Sequence, residues 1–268
     1  MERQFAGRVD ELQVLRQESE QITLGFAPGT AGTLLLRLEE SVRTADLRIT
    51  AQADCDICVF VDVRARRQLK LLQQIRAGHD AQVKVGILDL EGAKAEYDLR
   101  AELEEAGTRV EIHTATLVDA DKQWHMEIIH AHPYTYGYME NFCVVKDDAR
   151  CQVEAIGNIR KGAYGSESHQ QTRILTMSDR HNAEAIPVLY IDENDVKASH
   201  AMTLGQPDEE QLYYLQTRGL SKTQALGLLS VGYFMPVAEL LAHSEHYAQI
   251  QYRVEEKVGL YDHRSTAR

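Results

Sequence analysis

The sequence predicts a mainly β chain closed by a small helical end, and three observations carry that expectation. Short segments rich in Val, Ile, Leu and Thr, many of them alternating apolar and polar, recur from about residue 22 to 200. Turn-like breaks such as "FAPGTAG", "RAGHD", "DADKQ" and "NIRKGAYGSES" separate them at fairly even spacing. After residue 205 the pattern changes to capped helix. Many short strands with no confident helices between them fit a sandwich, a barrel or a β-solenoid, and periodicity alone leaves these three open.

The strand segments run in order as "QITLGF", "TLLLRLEE", "ADLRITAQ", "CVFVDVRA", "AQVKVGILDL", "TRVEIHTATLV", "QWHMEIIHAH", "NFCVVKDDA", "TRILTMS" and "IPVLYIDENDV". Two segments resist this reading. "RQLKLLQQIRAG" and "EGAKAEYDLRAELEEAG" are rich in good helix formers. The second also alternates and runs directly into "AGTRVEI", so it is read as strand; the first stays open between strand and helix.

The helical end has clear punctuation. In "QPDEEQLYYLQTRG", Pro207, Asp208, Glu209 and Glu210 open a helix in accord with its dipole, and Arg218 and Gly219 close it. Ser221 and Gln224 fit a capping box for "KTQALGLLSVGYFM". Pro236 is expected to end or kink that helix, and the following stretch restarts it. The expected division is a β body over 1–204 and a helical subdomain over 205–268.

The chain has 268 residues, a formal net charge of −12 and a pI of about 5.4. That surface repels phosphate backbones and anionic membranes, so neither nucleic acid nor a membrane is an expected partner. No run of about 18 apolar residues occurs, and "MERQFAGRVDELQV" lacks the apolar core of a signal peptide. The expected location is the cytoplasm. No G-x-S-x-G elbow and no G-x-x-x-x-G-K-[ST] phosphate loop is present, which argues against an α/β-hydrolase or a nucleotide hydrolase.

Candidate ligands are few. "CDIC" places Cys55 and Cys58 at metal or redox spacing, but in a strand the two would face opposite sides. Packing in the sheet is the competing reading. Cys143 and Cys151 complete the four cysteines. In "HAHPYTYGY", His130 and His132 would share one side of a strand and could chelate, although Pro133 ends the strand there. The tyrosines Tyr134, Tyr136 and Tyr138 would cover one surface. "HSEH" at 243–246 is a weaker i, i+3 pair on a helix. His200 ends an extended run, where an imidazole can bind a metal, move a proton or simply pin the loop.

The stretch "VKASHAMTLGQPDEEQLYYLQTRGLSKTQALGLLSVGYF" resembles the C-terminal signature of the SufB/SufD family of iron–sulfur cluster assembly proteins. The matching residues are Val196, His200, Thr203, Gly205, Asp208, Glu209, Leu212, Tyr213, Tyr214, Leu215, Arg218, Gly219, Ala225 and Phe234. Upstream, "QQTRILTMSDRHNAEAIPVLYIDENDV" with Pro187, and "IIHAHPYTYGYMENFCVVKDDARCQVEAIGNI", are similar to earlier family segments. The likeness spans roughly residues 85 to 245.

The resemblance implies a right-handed parallel β-helix, or β-solenoid, with a small C-terminal helical subdomain. It implies a non-catalytic scaffold that pairs through the β-helix as a homodimer or a heterodimer with a second SufB/SufD-type subunit. A SufC-type ABC ATPase would dock on the helical end around Asp208, Glu209, Leu212, Tyr213, Leu215, Arg218, Gly219 and Leu228. A transient iron–sulfur cluster would form at the dimer interface, with His200 as the matched ligand.

Two departures stand out. Ala198 occupies the position of a common SufD cysteine, and Thr172 that of a SufB cysteine. His200 is the matched ligand that remains; Cys143, Cys151, Cys55, Cys58 and His130 are weaker substitutes, or the partner subunit supplies the thiols. The family's N-terminal helical region is also largely missing from this sequence, which reads as a short, SufD-leaning or divergent member. Rival expectations are a His-based metal-binding protein or enzyme, and a structural homo-oligomer that has lost cluster assembly.

Overall fold

The computed structural model describes residues 1–259 except 147, 179 and 181. The chain winds between two eight-stranded sheets, placing alternate strands in each. The first sheet stacks β1 (Glu2–Phe5), β3 (Ser19–Phe26), β5 (Thr44–Ala51), β7 (Leu69–Ala77), β9 (Ala95–Leu103), β11 (Lys122–His130), β13 (Arg150–Ile159) and β15 (Asn182–Ile191). The second stacks β2 (Arg8–Leu15), β4 (Ala31–Leu38), β6 (Asp56–Val63), β8 (Gln82–Asp89), β10 (Arg109–Val118), β12 (Tyr136–Val145), β14 (Glu167–Thr176) and β16 (Lys197–Gly205). Each strand pairs in parallel with the strand one full turn away. This is a β-solenoid of about 7 turns followed by three helices.

The register explains why these residues form strands. One inner column runs Ile49, Ile75, Ala101 and Ile128 on successive turns, all buried. Each fully buried aliphatic side chain of this kind contributes about 1.5–3 kcal/mol. Local helix propensity is worth less than that per residue. The segment over 95–103 is therefore a strand as expected. Its buried and more exposed residues alternate along the whole length, with Ala95, Tyr97, Leu99, Ala101 and Leu103 inward. The open segment over 69–77 also resolves as strand, with Leu69, Leu71, Gln73, Ile75 and Ala77 buried. Three strands escaped the periodicity reading. β1 is short, β2 carries Arg8, Asp10 and Glu11 in its first half, and β13 carries polar residues on its outer face.

One corner of the solenoid repeats a left-handed residue on successive turns. Gly29, Asp54, Asp80, Gly107, Tyr134 and Gly165 all have φ between 55° and 73°. Their amides form a ladder in which Asp54 N–H donates to the His79 carbonyl, Asp80 to Ala106 and Gly107 to Tyr134. The sharp turn needs this conformation, and Asp pays a smaller steric penalty there than most residues.

The helices double back over the outside of the second sheet. α1 is Glu209–Thr217, α2 is Lys222–Ala238 and α3 is Tyr247–Lys257. Asp208 caps α1 by accepting from the Glu210 and Gln211 amides, and the Ser221–Gln224 capping box on α2 is complete. Pro236 does not end α2 where the sequence suggested. The helix continues through it to Ala238 and tightens into a 3-10 turn at Glu239–Leu241. The missing amide falls in the last turn, where little of the helix remains to be disrupted. The "HSEH" stretch is a turn rather than helix, and Ser244 there donates to Asp10 of β2 at 2.7 Å.

Phe234, Val237, Ala238, Leu241, Ile250 and Val254 form an outer core with Leu35, Phe60, Leu88, Ala115, Phe142 and Val144 of the sheet. Lys222–Leu241 is long and apolar enough to cross a membrane by length and composition, and Phe234, Val237, Ala238 and Leu241 within it are buried in that outer core. An ionic cluster fixes α3. Buried Asp62 pairs with Arg37, Arg64 and Arg253, and Arg253 also donates to the Val63 carbonyl and to Glu91 at 2.7 Å.

Two predictions follow from these contacts. Replacing Gly107 by Ala forces a Cβ into the left-handed region, and should lower stability by about 1–2 kcal/mol in urea denaturation. Asp54→Gly at the same corner, which removes a Cβ from that region, should change stability by less than about 1 kcal/mol. The second concerns Glu91. Burial opposes its ionisation, but the Arg253 hydrogen bond and the charges of Arg253, Lys257 and Arg66 prevail and hold its carboxyl below the ordinary value. A depressed carboxylate stabilises the fold above its unfolded pKa and loses that contribution as pH falls through the folded value. The stability gap between wild type and E91Q should be constant above about pH 5 and close below about pH 4.

Candidate functional site

The two ends of the solenoid differ. At the first, the inner face of β2 carries Glu11 and Gln13, and Arg3 of β1 lies within salt-bridge distance of Glu11 at 3.4 Å. With its amide turned, Gln13 also accepts from Arg3 at 2.6 Å. This end carries charged and hydrogen-bonding side chains.

The last turn is apolar instead. β16 pairs with β14 along one edge only, and β15 with β13 along one edge only. Alternation places Ala198, His200, Met202 and Leu204 on the inner face, in register with Ser168, Gln170, Thr172 and Ile174. Those four partners are buried. The residues stacked on them are not: Met202 is 52% and Leu204 38% exposed. Ile191, on the inner face of β15, is exposed as well. The final layer of an apolar core is thus laid down and left open, beside an unpaired strand edge.

His200 is exposed in the middle of that layer. Ala198 lies on the same face two residues before it. Thr172 is the register neighbour of Met202, one position along from Gln170 beneath His200. The two positions at which the family resemblance leads one to look for cysteine therefore converge on His200, and neither carries a thiol.

The other proposed ligands lie elsewhere. Cys143 is fully buried, two strand positions below the mouth, since it registers with Ile174 and that residue with Leu204. A hydrogen bond with Cys151 and burial push its thiol well above the ordinary range. Cys151, also buried, faces the inner core one strand below Ala183. Cys55 and Cys58 belong to the turn of β6, five strand spacings from β16 in the sheet order, or about 24 Å. Cys55 packs in the inner core and donates to the Ala27 carbonyl at 3.1 Å. Cys58 is outside that inner core, and its thiol is pushed by burial to about 12. The "CDIC" residues therefore pack separately.

His130 and His132 do not pair. The strand ends at His130, which is fully buried with Nδ1 2.8 Å from Thr135 Oγ1, whereas His132 is in the following bend and exposed. Burial, with the nearby His169, lowers the His130 pKa to about 4. Among the described residues, no group of three or more His, Cys, Asp or Glu side chains is placed to hold a metal ion.

Sequence reasoning missed two polar arrays near the mouth. Inside, Thr114 donates to Asn141 at 2.8 Å and Asn141 to Thr172 at 3.3 Å, a ladder across β10, β12 and β14. Outside, His169 Nδ1 is 2.7 Å from Ser199, Lys197 pairs with Glu167 at 2.7 Å, and His113 bridges Glu111 and Glu140. Burial works against a charge on His113, but the hydrogen bonds from both glutamates raise its pKa. The alternation in "RVEIHTATLV" held the signal: polar residues at both phases of a strand mean polar groups on both faces.

α1 stands apart from the solenoid. It has no buried residue, and packs on α2. Tyr213 is 71% exposed, and Tyr214 and Leu228 are exposed beside it, while Leu212 and Leu215 are half-buried. Arg218 lies over the Tyr214 ring at 5.1 Å and Gly219 closes the helix at φ 94°. Asp208, Glu209, Arg218 and Gly219 thus shape the helix ends, Tyr213 and Tyr214 are exposed on α1, and Leu228 is exposed on α2.

The profile of the family "SUF system FeS cluster assembly, SufBD core domain" matches residues 41–233. The chain belongs to the SufBD family. The matched region takes in most of the solenoid and runs through α1 into α2. An iron–sulfur cluster assembly protein SufD of Bacillus subtilis is 37% identical over 132 residues, covering 49% of this chain and 30% of that protein. Iron–sulfur cluster assembly SufBD family proteins of Mycobacterium leprae and Mycobacterium tuberculosis are 31% and 28% identical over 110 and 115 residues. These matches cover 41% and 43% of this chain, and 28% and 14% of those proteins. The alignments span less than a third of each relative's length. SufBD membership ties this chain to SUF iron–sulfur cluster assembly.

The burial of the cysteines makes a direct prediction. In native protein at neutral pH, all four thiols should react with a disulfide reagent far more slowly than after denaturation, because each is shielded and reaction needs the thiolate. A thiol titrating at once in the native state would contradict this packing.

Proposed function

We propose that this SufBD protein is a non-catalytic scaffold subunit that pairs with a second SufBD-type chain through the open end of its solenoid. A SufC-type ABC ATPase docks on its helical end. The observation that carries the reading is the asymmetry of the solenoid. One end presents the polar side chains of Arg3, Glu11 and Gln13; the other exposes the apolar Met202, Leu204 and Ile191 next to an unpaired edge. An exposed apolar layer with free backbone donors and acceptors invites strand addition by a partner. A like subunit, whose own last layer has the same character, fits that surface by symmetry.

In this reading the nascent iron–sulfur cluster is cargo passing through the interface, in the cytoplasm, where the ATPase also resides. His200 offers one imidazole to it. Thiolates are the usual cluster ligands, and this chain brings none to the mouth, so its donor set alone does not fit a cluster. The partner subunit supplies the sulfur ligands, or the pair serves assembly without His200 as a ligand. ATPase docking draws on the uncovered face of Tyr213, Tyr214 and Leu228, where large aromatics give contact area at low entropic cost.

The test separates the two surfaces. L204D should abolish pairing in sedimentation analysis while leaving ATPase co-elution intact. Y213A should weaken ATPase co-elution roughly ten-fold or more and leave pairing intact. A wild-type protein that neither pairs with itself nor with a second SufBD chain would overturn the proposal.

A further inference from the structure

α2 does not fill the whole space between itself and the sheet. Its C-terminal half presses Phe234, Val237 and Ala238 into the outer core. Its N-terminal half turns Thr223, Leu226, Gly227 and Ser230 toward the sheet, positions that share one helical face. Only Leu226 among them is large. A cavity of about 230 Å³ remains between α2, the end of α3 and the C-terminal ends of β10, β12 and β14. Gly227 closes one side of it. A Cβ there would sit 2.2 Å from the Val258 carbonyl oxygen, so α2 meets the end of α3 backbone to backbone.

The lining is of two kinds. Leu117, Met177, Leu226 and Val258 supply apolar surface; Leu117 is buried and the other three are half-buried. Ser230 adds no free donor, because its hydroxyl donates to the Leu226 carbonyl at 2.8 Å. Lys146 and Lys257 supply charge. Glu91 lies 3.6 Å from Lys257, but Arg253 holds that carboxylate more closely, at 2.7 Å. No ion pair joins Lys146 to a carboxylate among the described residues. None of the described residues that line the cavity is acidic, in a chain whose net charge is −12.

This lining selects a ligand by its chemistry. The apolar floor rewards burial of hydrocarbon, and two cations without an acidic neighbour in the wall favour an anion. One molecule that carries both satisfies the site. At about 30 Å³ for each water-sized group, the space holds about seven or eight such groups, which suits a short alkyl chain. We propose that this cavity is a binding site for a medium-chain amphiphilic carboxylate. The chain lies on Leu117, Met177 and Leu226, and the head lies at Lys146 and Lys257. The site is separate from the open mouth of the solenoid and from the exposed tyrosines of α1, and it stands whether or not either binds a partner.

Full-length protein carrying 13C-methyl methionine tests it. Octanoate, kept below its micelle concentration, should shift the Met177 methyl saturably and leave that of Met202, at the open mouth, in place. Octanol and octylamine have the same chain with a neutral or positive head, and should bind more weakly by roughly three-fold or more. K146Q should weaken octanoate by a similar factor. L226W puts a larger ring in the cavity and should abolish the Met177 shift. An unmoved Met177, equal movement of Met177 and Met202, octanol binding as tightly as octanoate, or K146Q binding octanoate as tightly as wild type overturns the proposal. So does a folded L226W that keeps the Met177 shift. If L226W does not fold, the comparison of octanoate with octanol, together with K146Q, decides.

Discussion

Parallel stacking is the constraint on which this molecule depends. Each turn of the solenoid hydrogen-bonds to the turn before it and covers that turn's inner side chains. In return it presents its own inner face to the next. Ile49, Ile75, Ala101 and Ile128 show the rule along one column. Any turn that is last has half of its backbone groups and its whole inner layer uncovered. The chain meets this with polar side chains at one end and with apolar ones at the other.

The same constraint orders the rest of the structure. The inner column is apolar through the early turns and becomes polar towards β14, where Thr114, Asn141, Thr172 and Gln170 gather. The outer face of the second sheet is apolar where α2 and α3 lie on it and charged or aromatic beyond them. The helices therefore brace the early and middle turns and leave the last turn unbraced. The uncovered layer, the exposed imidazole of His200 and the exposed face of α1 all belong to the part of the chain that follows β14.

The sequence made much of this legible. Alternating apolar residues marked most of the strands, and the Asp208 cap, the Ser221–Gln224 box and Gly219 located α1 and α2 within a residue or two. It failed where local and long-range preferences conflict. The segment over 69–77 is a strand despite its helix-forming residues because burial against a turn 26 residues away outweighs propensity, as in Ile49 against Ile75. β1 and β2 were hidden because a terminal turn can carry charge where an inner turn cannot. The expected end or kink at Pro236 falls two residues before α2 ends at Ala238.

For the site, the sequence by itself determined the ingredients: one histidine in the last extended run, Ala198 and Thr172 where the family resemblance leads one to look for cysteine, and a tyrosine-rich helix after it. Those are facts of residue identity and spacing. Only the tertiary structure decided that Ala198, Thr172 and His200 share one inner face, that the four cysteines are shielded, and that His130 is sealed away from His132. The reason is that register across turns of some 30 residues sets which side chains become neighbours. No local pattern encodes that register: it follows from the sum of the inner columns fitting together.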